Sequence, residues 1–219
     1  MRWHDLAFLH WPVEAELLRA HISPGLELES FEGTAWLGVV PFRMSSVGPR
    51  CVPSIPGIHA FPELNLRTYV TANGKPGVWF FSLDVTKRLA VWAARTFFHL
   101  PYFRARMQFE RQGDTIHYAS ERGPGRLGFT GRYRPTGDVY LSKPGSLESW
   151  LTERYCLYAA DERGRIYRGD IHHAPWPLQR AEVEIERNTL GEQIGIAALE
   201  GEPLAHFAKD LDVIAWDLE

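Results

Sequence analysis

The sequence predicts an α+β fold that is mainly antiparallel β, a curved sheet or closed barrel with a few helices covering one end. Three observations predict it. AFPELNLRTYV at 60–70 alternates, with Leu64, Leu66, Thr68 and Val70 on one side and Glu63, Asn65, Arg67 and Tyr69 on the other. TANGKPG and VWFFSLDV follow, which reads as a β-hairpin with a strong turn signal. No regular strand–helix–strand alternation runs along the chain, which argues against doubly wound and (β/α)8 folds. Residues 1–219 are read as one domain.

The elements follow in order. WPVEAELLRAHISPGLEL reads as an opening helix, with Leu17, Leu18 and His21 near one face and a stop at Ser23–Gly25. FEGTAWLGVVPFRM is a strand, and GPRCVPSIPGIHAFP is a proline-punctuated loop. After the hairpin, DVTKRLAVWAARTFFHLPY repeats Leu89, Trp92, Ala93 and Thr96 at helical spacing, and Pro101 ends it. RARMQFERQGDTIHYASER reads as a second hairpin turning at Gln112–Asp114, and GFTGRYRPTGDVYL as another strand pair. KPGSLESWLTERYCLYAAD contains a short helix, with Ser146 as N-cap and Glu148 at the positive end of its dipole. GRIYRGDIHHAPWPLQRAEVEIE is strand, break and strand, and PLAHFAKDLDVIAWDLE is a final strand.

Hydrophobic residues make up 45% of the chain, enough for a real core. The net charge of −3 gives no pull toward nucleic acid or acidic membranes, and no apolar run approaches the ~20 residues of a membrane span. Cys51 and Cys156 lack metal or disulfide spacing, so a reduced cytoplasmic setting is expected. The start MRWHDLAFLHWPV is too charged for a signal peptide. No Walker loop stands in the chain and the glycine-rich GPGRLGFTG at 123–131 is followed by no helix, so no cofactor is expected, and Ser82 lacks the GxSxG context of a nucleophile.

The polar face of 60–70 is the functional question. With a loop over 72–77, Arg67 opposes Ser82 and Asn65 opposes Asp84. Arg67 and Asp84 then become diagonal neighbours about 7–8 Å apart. A two-residue turn changes the partners by an even shift and keeps the same faces together. That face is either solvated, with ion pairs worth less than about 1 kcal/mol each, or it lines a cavity. In a cavity, Glu63 and Arg67 stand about 13 Å apart along the strand and need other partners: Asp84, Arg95 or a residue of another strand.

The segments LAFLHWPV, FPELNLRTYV, GVWFFSLDV, AARTFFHLPYFRARM, LTERYCLY and HHAPWPLQRA resemble the YqjF-like (DUF2071-type) bacterial family, across nearly the whole chain. That family supplies no reaction. It is similar in fold to acetoacetate decarboxylase, which implies a β-barrel-like cone around an internal pocket. The resemblance places Glu63 at the pocket position and Arg95 at the position of an arginine. Pro101, Tyr102 and Phe103 fall where the decarboxylase has Pro-Lys-Lys. Tyr102 and Phe103 cannot form a Schiff base, and Lys75, Lys87, Lys143 and Lys209 lie in polar settings, so Schiff-base chemistry is not expected.

The resulting expectation is a pocket for a small anionic or carbonyl-bearing molecule. Glu63 is the candidate general acid or base. Asn65, Arg67, Tyr69, Ser82, Asp84, Arg95, Tyr102 and His172 are the candidate ligand-binding residues. His172 and His173 are adjacent on a strand, face opposite ways and do not suit one metal. Asp84 has an alternative role as cap of a helix starting at Val85. Glu153, Arg154 and Tyr155 favour helix capping or a tertiary salt bridge over catalysis, and Trp176 reads as a structural plug. Two other functions stay open: a non-catalytic sensor using the same pocket, and a homo-oligomer joined through Trp3, Trp11 and Trp36.

Overall fold

RWHDLAFLHWPV forms strand β1 (Arg2–Val13) in the computed structural model, which describes residues 1–47, 60–123 and 127–219. The chain therefore opens on a strand, and only α1 (Ala15–Arg19) of the expected first helix is helical. Leu6 to Trp11 are buried on both faces, so this strand carries a continuous apolar run instead of an alternation. Next come β2 (Glu27–Leu28), β3 (Ala35–Ser45), β4 (Ala60–Ala72), β5 (Lys75–Val85), α2 (Arg88–Phe98) and β6 (Tyr102–Arg104). They are followed by β7 (Arg106–Gln112), β8 (Thr115–Arg122), β9 (Leu127–Tyr140), α3 (Leu147–Thr152), β10 (Cys156–Ala160) and β11 (Ile166–His173). β12 (Leu178–Asn188), a 3-10 turn at Leu190–Ile194 and β13 (Leu204–Leu218) complete the chain. Most of the expected proline-rich loop, with Cys51, and part of GPGRLGFTG lie outside the described residues.

The fold class is as expected: antiparallel β dominates. The second hairpin is β7–β8, turning through Gly113, and Ser146 caps α3 by accepting from Ser149 N at 3.3 Å. The pair expected in GFTGRYRPTGDVYL is instead the single strand β9. Its Pro-Thr-Gly makes a bulge against β12, where the register jumps between Leu178 and Arg180, and not a turn.

Hydrogen bonding closes a circuit of strands, β1-β3-β4-β5-β10-β11-β13 and back to β1. Strands β12, β9, β8 and β7 continue from β13 as a flap, while β2 pairs with β4 and β6 with β5. Two faces of the ring follow. Leu9, Leu37, Val39, Leu64 and Leu66 pack against Ile116, Tyr118, Phe129 and Tyr133 of the flap, so they form the outer face. Tyr69, Val78, Phe80, Leu83 and Ala159 cluster across three strands with Leu151 of α3, so they form the inner face.

The β4–β5 hairpin decides which polar residues share the inner face. Its turn is the two residues Asn73 and Gly74, both at positive φ, with Ala72 opposite Lys75. From there the register runs to Arg67 opposite Phe80, and then slips by one residue, so that Leu66 opposes Ser82 and Leu64 opposes Asp84. Phe81 is the extra residue of this bulge. A slip of one exchanges the faces of everything beyond it. Ser82 and Asp84 therefore join Leu66 and Leu64 on the outer face. This corrects the expectation that they share a face with Asn65 and Arg67.

Candidate functional site

Four consecutive inner-face residues of β4 are buried although all are polar: Glu63, Asn65, Arg67 and Tyr69, with Glu63 only 2% exposed. The alternation at 60–70 therefore marks an enclosed face. Glu63 and Arg67 do not pair with each other, as their spacing along the strand requires. Each is met by another element.

Glu63 is met by Tyr102, whose hydroxyl donates to Oε2 at 3.1 Å. The local sequence explains this placement. Helix α2 ends at His99, which takes a left-handed conformation (φ 49°), and Pro101 prevents its continuation. The chain then returns as β6, parallel to β5, with Tyr102 beside Leu83. Burial pushes the Glu63 carboxyl up from 4.5 to about 8, against the lowering effect of hydrogen bonds from Tyr102 and Asn65. The nearby Asp84 charge pushes in the same direction as burial. Burial, and then the Glu63 charge, hold the Tyr102 phenol well above its usual range.

Arg67 is met by α3. Its Nη2 donates to the Leu151 carbonyl at 3.2 Å, and its guanidinium lies 5.4 Å from the Phe8 ring centre and 5.7 Å from that of Tyr69. The Tyr69 hydroxyl donates to the same carbonyl at 2.8 Å and lies 2.6 Å from His10 Nε2. Burial, and then the Arg67 charge, hold the His10 imidazole well below its usual value, so it is neutral. Several buried polar atoms here have no partner among the described residues: Asn65 Oδ1, Arg67 Nε, His10 Nδ1 and His206 Nδ1. A buried group of this kind costs about 1–3 kcal/mol unless something fills its hydrogen bond.

Other expected members lie elsewhere. Asp84 is fully buried under the flap, ion-paired with Arg122 and accepting from Ser120 Oγ at 2.9 Å. It caps no helix, since α2 starts at Arg88. Ser82 accepts from Gln193 Nε2 at 3.1 Å on that same outer face. Arg95 is an exposed residue of α2; its Nε donates to the Tyr102 carbonyl at 2.6 Å and its guanidinium stacks on Phe103. Arg95 thus holds the segment that carries Tyr102 and does not face Glu63. His172 is exposed beside Trp216, and its neighbour His173 is buried between Tyr155 and Trp176, because adjacent strand residues face opposite ways. Arg154 makes the expected tertiary salt bridge, to Glu29 at 2.5 Å, and Trp176 is buried against Phe8 and Trp3.

Sequence reasoning missed His10, Leu151 and Arg122. For His10 a signal existed: one polar residue inside the apolar run AFLHW must be satisfied in the core. For Leu151 none did, because it contributes only its carbonyl. The trio Trp3, Trp11 and Trp36 forms no exposed aromatic surface, since Trp11 is buried and the other two are half-buried.

Two open clefts are lined by residues other than Glu63, Asn65 and Arg67. One of about 790 Å³ is lined by Arg95, His99, Arg163 and Arg165 among others, and Glu63 is not on its wall. Its charged groups reach solvent, whereas the unpartnered buried groups lie around β4. A second cleft of about 460 Å³ reaches the ring at Phe80, the cross-strand partner of Arg67.

Among the described residues no cluster of His, Cys, Asp and Glu could hold a metal ion, and no helix is long and apolar enough to cross a membrane. All four lysines are described, and none is buried.

A family model described as "Uncharacterized conserved protein (COG2071)", DUF2071, matches residues 1–212. The chain belongs to the DUF2071 family. Its relative "Uncharacterized protein YqjF" of Bacillus subtilis (strain 168) is 50% identical over 217 residues, 99% of this chain and 89% of YqjF. Among solved structures, the acetoacetate decarboxylase of Legionella pneumophila matches with a TM-score of 0.64 at 15% identity, over 100% of this chain and 86% of that one. The enduracididine biosynthesis enzyme MppR, solved in complex with pyruvate, matches with a TM-score of 0.68 at 14% identity, over 100% and 90%. At such identities these likenesses show that this DUF2071 chain has the acetoacetate-decarboxylase-like fold, and nothing finer.

Proposed function

We propose that this protein binds a small anionic or carbonyl-bearing molecule inside the strand ring, and that Glu63, paired with Tyr102, is its general acid or base. The single observation that carries the reading is a buried carboxyl whose pKa stands at about 8, held by a phenol and an amide. Such a group changes protonation near neutral pH, where acid–base work is most effective. Arg67 supplies a fixed cation four residues away on the same face, suited to a carboxylate or a polarised carbonyl. The binding of pyruvate by MppR, a protein of the same fold, supports a ligand of this size.

The chemistry differs from Schiff-base catalysis. On the resemblance, Tyr102 and Phe103 fall where the decarboxylase carries lysines; none of the four lysines here is buried, and Lys75 pairs with Asp170 at 2.8 Å. Proton transfer by Glu63, with Arg67 balancing negative charge on the ligand, is the step these residues can perform.

Native mass spectrometry of gently purified protein tests the binding, with Glu63→Gln separating an enzyme from a sensor. A bound small molecule, retained by Glu63→Gln but no longer turned over, is the expected result. Retention with no turnover by either protein identifies a sensor. Absence of any bound molecule, together with no shift of the Glu63 resonance by any component of a metabolite extract, overturns the pocket.

A further inference from the structure

The wall of the larger cleft carries three arginines that pair with no acid among the described residues. Arg163 and Arg165 stand in the turn between β10 and β11, and Arg95 stands on α2. The one hydrogen bond that the Arg95 side chain makes among the described residues comes from Nε, so both of its terminal amino groups stay available. Two acids share the wall, Asp161 and Glu162. Asp161 is occupied by the turn itself. Its Oδ1 accepts from the backbone N–H of Arg163 and of Arg165 at 2.9 Å each, and its Oδ2 accepts from the Tyr167 hydroxyl at 3.2 Å.

Aromatic contacts hold the two sides of this cleft together. The Arg165 guanidinium lies 5.2 Å from the Tyr167 ring centre, and His99 stacks on that ring at 4.8 Å, which ties the turn to the end of α2. The Arg95 guanidinium lies 4.8 Å from the ring centre of Phe103. Phe103 in turn lines the smaller cleft, with Trp79, Phe81 and Tyr158. His99, Pro101 and Ala160 line both clefts. A basic recess therefore adjoins an aromatic one, with Arg95 at their boundary. The carbonyl end of α2 repels an anion, which directs it toward the turn arginines.

The planar fork of arginine matches phosphate oxygens two at a time. A phosphate monoester carries nearly two charges and three strong acceptor oxygens, enough to engage all three guanidiniums, whereas a carboxylate brings one charge and two oxygens. A flat aromatic group suits the neighbouring rings, by offset stacking or edge contact. We infer that the two adjoining clefts form one binding site, distinct from the Glu63 pocket, for the phosphate monoester of an aromatic alcohol. Its phosphate lies on Arg163, Arg165 and Arg95, and its ring lies in the aromatic cleft.

Calorimetric titration of the full chain with 1-naphthyl phosphate, 1-naphthoate, 1-naphthol and inorganic phosphate tests this. The naphthyl phosphate is expected to bind about tenfold or more tightly than each of the other three, since each lacks the phosphate or the ring. Arg163→Ala and Arg165→Ala should each weaken it about threefold to tenfold. Lys209→Ala, which removes one exposed cation elsewhere, should leave it unchanged. Both arginines are exposed and meet Asp161 through their backbone, so these variants keep the turn. No binding of the naphthyl phosphate, equally tight binding of any of the other three, undiminished binding by the two arginine variants, or an equal loss in Lys209→Ala overturns the site. The Glu63 pocket fails separately, on the mass-spectrometric result given above.

Discussion

Tyr102 donates to Glu63 across 3.1 Å, from a three-residue strand that reaches the ring only because α2 stops at His99. The bond stabilises the ionised carboxylate, yet burial outweighs it and the carboxyl stays high. Two residues 39 apart in the chain thus share one proton-sensitive contact.

Stability should depend on pH through Glu63. Its folded value, about 8, lies above the ordinary 4.5 that holds when the chain unfolds. Between those values the folded state keeps a proton that the unfolded state has lost, so raising the pH favours unfolding, at about 1.4 kcal/mol per unit of pKa difference. The contribution is fully present below 4.5 and is lost as the pH rises through 8. Denaturation midpoints of wild type and Glu63→Gln, measured from pH 4 to 9, should diverge over that window, with the wild type falling relative to the variant. Parallel curves would contradict a buried, neutral Glu63.

Tyr102→Phe removes the bond that lowers the Glu63 pKa. The carboxyl should titrate at still higher pH. Infrared difference spectra of its C=O band across a titration will show the direction, and a lower midpoint would refute the contact.

Asp84 and Arg122 form a buried pair in which burial pushes each member toward its neutral form, Asp84 up and Arg122 down. Such a pair contributes little net stability, but losing one member is costly. Asp84→Ala should destabilise by about 3–5 kcal/mol. Asp84→Leu combined with Arg122→Met should cost much less than that single change. Urea denaturation of the three proteins measures both, and an additive double variant would show that the two are not coupled.

Gly38→Ala pushes a methyl against the His10 ring. A destabilisation of about 1–3 kcal/mol is expected from such overpacking, together with loss of the protected Tyr69 hydroxyl proton in NMR spectra. An unchanged melting temperature and an unchanged His10 spectrum would mean that the ring has room to move.

Much of this protein was legible in its sequence. Alternation at 60–70 set β4, the turn signal in TANGKPG set the hairpin that follows it, and Ser146 set the start of α3, because each depends on neighbours in the chain. The absence of a buried lysine, and the candidacy of Glu63, Arg67, Tyr69 and Tyr102, were also readable there. What the chain alone left undecided was face and partner. The one-residue bulge at Phe81 moved Ser82 and Asp84 out of the ring, and no local signal distinguishes a bulged strand from a regular one. His10, the Leu151 carbonyl and the donor to Glu63 come from β1, α3 and β6. Only closure of the strands into a ring carries them to β4, since hydrogen bonds between strands join residues that chain order keeps apart.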